Sequence, residues 1–446
     1  MTRRSDAPSV FIETYGCQMN VYDSAAIGGI LAARGYRRAD SLPEADVVLL
    51  NTCSVREHAE HKVLSRLGEL RSLRRRGELR AGVLGVCGCM AERMREALAD
   101  RERGADVVVG VDHYHELPDL LDRVLEREAA APVAVGHRDD VHYVAPPEAY
   151  PTNNSHLVTI HKGCDYRCTY CIVPETRGPQ REKPPAVILD EIRAIVAAGG
   201  REVTLLGQNV TAYRHGNLDF AGLLRQVAAL PGLARIRFLT GHPRDLTPRL
   251  LETMADLPAV CPWLHVPAQS GSDRVLRRMK RLYTAAQYLQ MVETARRLLP
   301  DVTFSGDFIV GFPGETEEDF QRTLELVRAV RYDQTFNFKY SPRPGTPAAR
   351  LADDVPPAVK KERLARLMAA QEAVWRELAD AAVGEVWTAV VEGPSRHGPE
   401  LERARTANNR KVLVPAAGRR PGDMVRVRVT GWEATTFRGV PVEQER

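Results

Sequence analysis

Apolar residues along the chain recur in short runs separated by amphipathic stretches, the alternation expected where strands and helices take turns. Four runs predict strands in the first part: Val10 to Thr14, Val47 to Leu50, Val83 to Val86 and Val107 to Val109. Ser24 to Arg34 predicts a helix between the first two. Arg56 to Leu73, with Val63, Leu64, Leu67 and Leu70 on one face, predicts another between the second and third. This is an α/β layout, a flavodoxin-like doubly wound domain over 8–125. Residues 126–153 turn rich in Ala, Pro, Asp and His, with Pro146-Pro147 and Pro151 and no clear period, and predict a linker.

From 154 to 380 the alternation returns on a longer scale. Strands are predicted at Leu157 to Ile160, Glu202 to Leu206, Arg235 to Leu239, Trp263 to Val266, Val302 to Val310 and Thr335 to Tyr340, with helices such as Pro185 to Ala198 and Glu317 to Val330 between them. Six βα units are too few to close an eight-stranded barrel, so a partial (β/α)6 barrel with one open side is expected. Over 384–446 the runs shorten to Val386 to Val391, Lys411 to Val414, Met424 to Val429 and Arg438 to Val442, separated by Gly, Pro and Asn turns, which predicts a small β-barrel.

Composition changes this picture little. The 446 residues are 44% hydrophobic and 27% charged, enough apolar material for several cores, which excludes a disordered or fibrous chain. No apolar run approaches the roughly 18 residues of a membrane span, and the start at Met1-Thr-Arg-Arg is unlike a signal peptide, so a cytoplasmic protein without a membrane partner is expected. A net charge of +4 is too small to imply nucleic-acid binding by itself. The eight cysteines matter more: in a reducing compartment, clustered thiols bind metal or do chemistry.

Cys164, Cys168 and Cys171 lie within eight residues, just after a predicted strand and beside Gly163. A structural zinc would want a fourth ligand, for which His156 and His161 are the nearby candidates. Three thiolates alone suit a 4Fe-4S cluster with one iron left open for an exogenous ligand. A second set, Cys17, Cys53 and Cys89, follows the C-terminal ends of three predicted strands, the edge where doubly wound sheets gather ligands. Cys87 competes with Cys89 for the third place on spacing alone, and three unconnected buried thiols are the plain alternative. Cys261, beside Pro262, reads as a core or loop residue.

The stretch Gly163-Cys164-Asp165-Tyr166-Arg167-Cys168-Thr169-Tyr170-Cys171 resembles the radical S-adenosylmethionine (SAM) superfamily. With Gly16-Cys17-Gln18-Met19-Asn20, Asn51-Thr52-Cys53-Ser54-Val55-Arg56-Glu57, Gly88-Cys89-Met90-Ala91, Leu205 to Val210, Gln269 to Asp273, Asp307 to Thr316 and Ser341 to Thr346, the whole chain from about residue 10 resembles the methylthiotransferases, and its first two cysteine motifs are similar to the MiaB branch. That branch acts on prenylated adenosine 37 of tRNA.

The resemblance implies two 4Fe-4S clusters, an auxiliary one on Cys17, Cys53 and Cys89 with Cys87 a non-ligand, and a SAM-binding one on Cys164, Cys168 and Cys171. It implies a C-terminal TRAM domain that binds RNA, and the partial barrel already expected. SAM cleavage at the second cluster would yield a 5′-deoxyadenosyl radical that takes hydrogen from C2 of the base, and a methylthio group assembled at the auxiliary cluster would replace it. Expected partners are a tRNA anticodon stem-loop entering an interdomain cleft, an electron donor such as flavodoxin or ferredoxin, and a sulfur donor; a monomer is expected. Rival readings are action on threonylcarbamoyl-adenosine or a ribosomal protein, and a non-catalytic iron-sulfur RNA-binding protein.

Within this frame, Gln208, Gln269, Ser270 and Asp307 carry hydrogen-bonding groups at predicted strand ends suited to SAM, and Gly311 offers bare backbone to an adenine. Arg343 could meet a carboxylate or phosphate. For RNA, Arg403, Arg405, Arg410 and Lys411 are grouped around Asn408-Asn409; the Ala404-Arg405-Thr406 here stands where TRAM domains often have Gly-Arg-Thr. Basic runs at Arg71 to Arg80 and Arg274 to Arg281 read chiefly as solvated helix faces, with contact to the anticodon stem as the alternative.

Overall fold

The structure is a computed structural model that describes residues 7–54, 57–99, 104–126, 131–139, 143–147, 155–396 and 398–442. The chain divides into two compact units, the first made of Met1–Tyr150, Leu157–Arg167 and Cys171–Lys183, the second of Pro151–His156, Cys168–Tyr170 and Pro184–Arg446. None of the described helices is long and apolar enough to cross a membrane.

In the first unit the four expected strands form, with two more. They are β1 (Ser9–Thr14), β2 (Arg37–Arg38), β3 (Val47–Thr52), β4 (Val83–Gly88), β5 (Val107–Val109) and β6 (Val133–Ala134), alternating with α1 (Gln18–Ala33), α2 (Glu57–Arg75), α3 (Cys89–Met94) and α4 (Leu117–Leu125). All neighbours pair in parallel in the order β2-β1-β3-β4-β5-β6. The order reverses between β1 and β3, which makes that point of the C-terminal edge a natural ligand crevice.

The β-period splits the apolar run of β3 between two cores. Val47 and Leu49 join Ile27 and Leu31 of α1 on one face, whereas Val48 and Leu50 join Val63, Leu67 and Leu70 of α2 on the other. Burial on both faces is why this strand reads as an unbroken hydrophobic run. The two extra strands are two residues long. β2 is exposed and basic, and β6, though apolar, lies in the stretch expected to be linker; neither is long enough to carry a strand period.

The remaining first-unit segments bracket the cysteine-rich loop. Strand β7 (Ser155–Thr159) leads into the short β8 (His161–Lys162), which pairs antiparallel with β9 (Arg181–Glu182), and between them lies α5 (Val173–Arg177).

The second unit carries α6 (Pro185–Ala197), β10 (Glu202–Leu206), a small β11 (Arg214–His215) and β12 (Leu218–Asp219) pair, α7 (Phe220–Ala228), β13 (Arg235–Phe238), α8 (Pro248–Asp256), β14 (Trp263–His265), α9 (Asp273–Arg278), α10 (Ala285–Leu298), β15 (Thr303–Val310), α11 (Glu317–Val330), β16 (Gln334–Lys339) and α12 (Pro357–Ala381). β10 pairs in parallel with β13, and β14 and β16 flank β15 in parallel, the strand–helix repeat of a partial barrel.

A closed barrel follows, in the order β17-β18-β19-β21-β20, from β17 (Val386–Pro394), β18 (Leu401–Thr406), β19 (Lys411–Pro415), β20 (Met424–Glu433) and β21 (Thr436–Pro441). Its core is not its own alone. Trp375, Ala379 and Ala382, from the end of α12, pack with Val391, Val412, Val427 and Phe437, and the Trp375 indole N–H donates to Ala434 O at 2.7 Å. The end of α12 and the barrel therefore share one core.

Candidate functional site

The first thiol set is assembled by the loops that leave β1, β3 and β4. Cys17 caps α1, Cys53 follows β3, and Cys89 opens α3. The residues around them explain why the loops meet. Gly16, at φ +130°, leaves no room for a side chain: a Cβ there would lie 2.3 Å from Cys53 Cβ. Gly88, at φ +93°, is pressed against Thr52 O and Asn51 Oδ1 in the same way. Asn20 Nδ2 donates to Thr52 O at 2.8 Å, Asn51 Nδ2 donates to Asn20 O at 2.9 Å, and Thr52 Oγ1 donates to Cys87 O at 2.7 Å. The asparagines of the first two cysteine motifs thus staple one loop to the next.

Cys17 and Cys53 are hydrogen-bonded through their sulfurs, which pulls the Cys17 thiol down to about 6, with desolvation opposing and the charge of Arg177 helping. Arg177, from α5, also donates from Nε to Cys89 Sγ at 3.2 Å. Burial pushes the Cys89 thiol up, with Arg177 working against it. Cys87 and Cys89 both belong to the apolar core that holds Val83 and Val107, but no charged group offsets burial at Cys87, which drives its thiol up to about 12. Of the two, Cys89 is the one beside a positive charge, the Arg177 guanidinium.

The second thiol set sits on one loop held from both sides. Gly163 takes φ +75° with its α-carbon against the backbone, where a Cβ would lie 1.9 Å from Pro179 O. The Cys164 N–H donates to Gly178 O at 3.2 Å, and the Gln180 N–H donates to Asp165 Oδ1 at 3.0 Å. At the base of this loop Asp112, fully buried after β5, accepts from Arg181 NH1 at 2.6 Å and from Lys162 Nζ at 3.3 Å, with His137 Nδ1 at 3.8 Å. Burial by itself would raise the Asp112 pKa, but the three cationic groups hold it well below the usual carboxylate range.

Cys168 belongs to the second unit, where it is buried and accepts from Arg281 NH1 at 3.4 Å, while the Thr169 N–H donates to Met279 O at 3.0 Å. No three His, Cys, Asp or Glu side chains among the described residues converge tightly enough to chelate a single ion.

The residues expected to meet SAM fall into two groups. The amide oxygens of Gln208, after β10, and Gln269, after β14, are buried without a hydrogen-bond partner among the described residues, and Gln269 holds a left-handed φ of +67°. Orphaned acceptors of this kind want a donor from a ligand. Asp307, on β15, stays partly open with His265 Nε2 at 3.6 Å. Ser270 is used internally instead: its hydroxyl lies 3.3 Å from that of Thr323 and accepts from the Ser272 N–H at 3.1 Å. Gly311 also serves the fold. The space beside its α-carbon is filled by Lys360, whose Cγ would lie 2.4 Å from a Cβ, and its N–H donates to Glu315 Oε1 at 2.8 Å.

Residues 158–327 match the model of the Radical SAM superfamily, and residues 9–110 match the model described as Uncharacterized protein family UPF0004. A tRNA-2-methylthio-N(6)-dimethylallyladenosine synthase of Agrobacterium fabrum (strain C58 / ATCC 33970) is 43% identical over 436 residues, 96% of each chain. A synthase of the same name from Acidovorax sp. (strain JS42) is 44% identical over 444 residues, 98% of each. The chain belongs to this synthase family.

Among solved structures, the radical S-adenosylmethionine methyltransferase TsrM from Kitasatospora setae, with cobalamin and a [4Fe-4S] cluster bound, superposes with a TM-score of 0.57 over 89% of this chain and 80% of that one; at 16% identity it shares the fold alone. The members of this synthase family are radical SAM enzymes, with SAM and 4Fe-4S clusters as cofactors; sets of three thiols suit such clusters, and buried acceptor oxygens suit the donors of SAM.

Basic residues that sequence reading assigned to RNA are largely occupied within the second unit. Arg405 pairs with Glu392 and donates to Asn409 Oδ1 at 3.0 Å. Arg410 donates to Asp333 Oδ1 at 3.0 Å and lies over the Trp387 ring. Arg403 is 4.0 Å from Glu392, and burial lowers the Lys411 pKa. Arg403, Arg405 and Lys411 nevertheless line one cavity of about 450 Å³ with Arg396, Glu392 and Glu202.

Most cations of the two basic runs are exposed, as expected of solvated faces, and several also pair locally. Arg74 pairs with Asp106, Arg76 with Glu78 and Arg80 with Asp46, while Arg274 pairs with Asp319 and Arg278 donates to Pro313 O. Sequence reading missed a half-open aromatic row on one face of β14 to β16. His265 meets Phe336 edge-on at 5.9 Å and lies 6.5 Å from Trp263, and Ser305 Oγ binds both the Trp263 and His265 ring nitrogens. The alternation Trp263-Leu264-His265 and Phe336-Asn337-Phe338 was the available signal.

Proposed function

We propose that the chain installs a methylthio group at C2 of N6-isopentenyl-adenosine 37 in tRNA anticodon loops, in the cytoplasm, with electrons and sulfur from separate donors. One observation carries the reading: Cys17, Cys53 and Cys89, from three separated loops, converge beside one buried guanidinium in a chain that matches the synthases over nearly its whole length. A SAM-dependent enzyme that only makes a radical needs no such second thiol site.

SAM at an iron-sulfur cluster supplies a 5′-deoxyadenosyl radical, the reagent needed for an unactivated aromatic C–H bond. The chain's own residues do the rest. Cys164, Cys168 and Cys171 hold the SAM-binding cluster, and Gln208, Gln269 and Asp307 offer acceptors to SAM. Cys17, Cys53 and Cys89 hold the auxiliary cluster, and the row of Trp263, His265 and Phe336 offers a stacking face to an unstacked purine. The C-terminal barrel acts as the TRAM-type RNA module, with its Arg403, Arg405 and Lys411 cavity toward phosphate and Arg410 as a tie to β16. The domains are read as 8–125, 154–380 and 384–446, with 126–153 joining the first two.

Mass spectrometry of tRNA nucleosides from a deletion strain tests this. Loss of the methylthio form with accumulation of isopentenyl-adenosine is expected. Loss of a methylthiolated threonylcarbamoyl-adenosine instead would refute the substrate.

A further inference from the structure

Arg177 is among the most buried charged side chains in the first unit, at 3% exposure, and its hydrogen-bonding ledger does not close. NH2 donates to Asp23 Oδ2 at 2.6 Å, and Nε donates to Cys89 Sγ at 3.2 Å. NH1 is buried with no hydrogen-bond partner among the described residues. A guanidinium always carries its charge and its five N–H donors, so a buried donor without an acceptor costs stability unless something else supplies one. A strut that merely tied α5 to α1 would need the Asp23 bond and nothing more. It would have no reason to spend Nε on a thiol or to leave NH1 facing no acceptor.

We propose that Arg177 is a positioning residue for the auxiliary cluster: its Nε–H donates to the Cys89 thiolate and its NH1 donors are completed by sulfur carried at that cluster, so that a fixed positive charge favours the cluster's reduced, more negative state. The proposal rests on the assignment of Cys17, Cys53 and Cys89 as cluster ligands. Hydrogen bonds to cluster sulfur and local charge are among the levers that set iron-sulfur potentials, and both are present in one side chain. The couple concerned is a single electron gained or lost by the cluster, with the reductant of the titration as its source.

The placement along the chain adds a second function to the same segment. Cys171, a ligand of the SAM-binding set, stands immediately before Ile172 and α5, and Arg177 ends that helix. Gly178, at φ +71° with the His137 ring filling the place of a Cβ, then turns the chain back toward β9. One short helix therefore connects a ligand of one cluster to the charge beside the other.

The test is a redox titration followed by EPR on the anaerobically reconstituted full chain, reading the signal that does not respond to added SAM. Arg177→Gln is expected to lower the reduced-to-oxidised ratio of the auxiliary cluster about tenfold at fixed potential, equivalent to a shift of about 59 mV for a one-electron couple. Asp23→Asn, which leaves the guanidinium uncompensated, should move the ratio in the opposite direction, a pattern that general loosening of the fold would not produce. Arg177→Lys, which keeps the charge but not the fork of donors, should give a ratio between those of Arg177→Gln and the wild type.

An Arg177→Gln protein with two full clusters and an unmoved ratio overturns the proposal. If Arg177→Gln loses the auxiliary iron, retention of iron in Arg177→Lys with a ratio below that of the wild type supports it, and loss of iron in both overturns it. A wild-type chain that takes up only one cluster's iron removes the auxiliary assignment itself, a failure read from iron content before any variant is made.

Discussion

The two thiol sets are built on opposite plans. Cys17, Cys53 and Cys89 come from three loops far apart in sequence and are brought together by a parallel sheet, asparagine staples and two glycines that tolerate no side chain. Cys164, Cys168 and Cys171 share one eight-residue loop whose shape is set by local backbone contacts and by the β8–β9 pair at its base. The first set depends on tertiary structure and the second on chain proximity. A fault in the sheet should therefore disperse the first set, whereas a fault in the loop should spoil the second and leave the first in place.

The largest effects come from the ligands. Cys168→Ala should abolish 5′-deoxyadenosine formation, while Cys53→Ala should keep that cleavage and stop methylthio transfer; methylthiolated product from the Cys53 variant would refute its role. Gly163→Ala comes next, since its Cβ has no room against Pro179 O. The variant should lose the loop cluster and keep the other, read as a fall from about eight irons per chain to about four. An unchanged iron content would show that the loop relaxes.

Asp112→Asn is expected to cost about 3–5 kcal/mol in chemical denaturation, because it leaves Lys162 and Arg181 as buried charges without their carboxylate. Its pH signature follows from sign. The folded pKa lies below the unfolded value, so the stabilisation is complete above about pH 4 and is lost as pH falls further. A wild-type acid limb that survives unchanged in Asp112→Asn would place that limb elsewhere. The smallest effect belongs to Cys87→Ala, which should lower stability by about 1 kcal/mol and leave the iron content intact. Loss of iron there would make Cys87, not Cys89, the third ligand of the sheet-built set.

Much of this architecture was legible in the sequence because its signals are local. Strands such as Val47–Thr52, buried on both faces, announce themselves as apolar runs, and the Cys164 to Cys171 spacing announces its own loop. The convergence of the other three cysteines could be inferred from strand ends, but what holds them there could not. Asn20, Asn51 and Arg177 look like ordinary polar residues until the fold places them against partners 31, 31 and 88 positions away. Ser270, Gly311, Arg405 and Arg410 show the converse. Each matched a ligand-binding expectation by type, yet each has a structural partner that only the packed chain reveals, Thr323, Lys360, Glu392 and Asp333 respectively. The two-residue strands β2, β6, β8 and β9 are too short to carry any period.

The insertion of Trp375, Ala379 and Ala382 into the C-terminal barrel bears on how such barrels can be exchanged between enzymes. A graft that starts at Gly384 would carry every strand and still arrive with an open apolar end, because the plug stays behind on the donor's last helix. Inheritance of the barrel as a unit, by recombination or in the laboratory, must include that final helical stretch, or find a host whose own helix ends on a tryptophan at the same height.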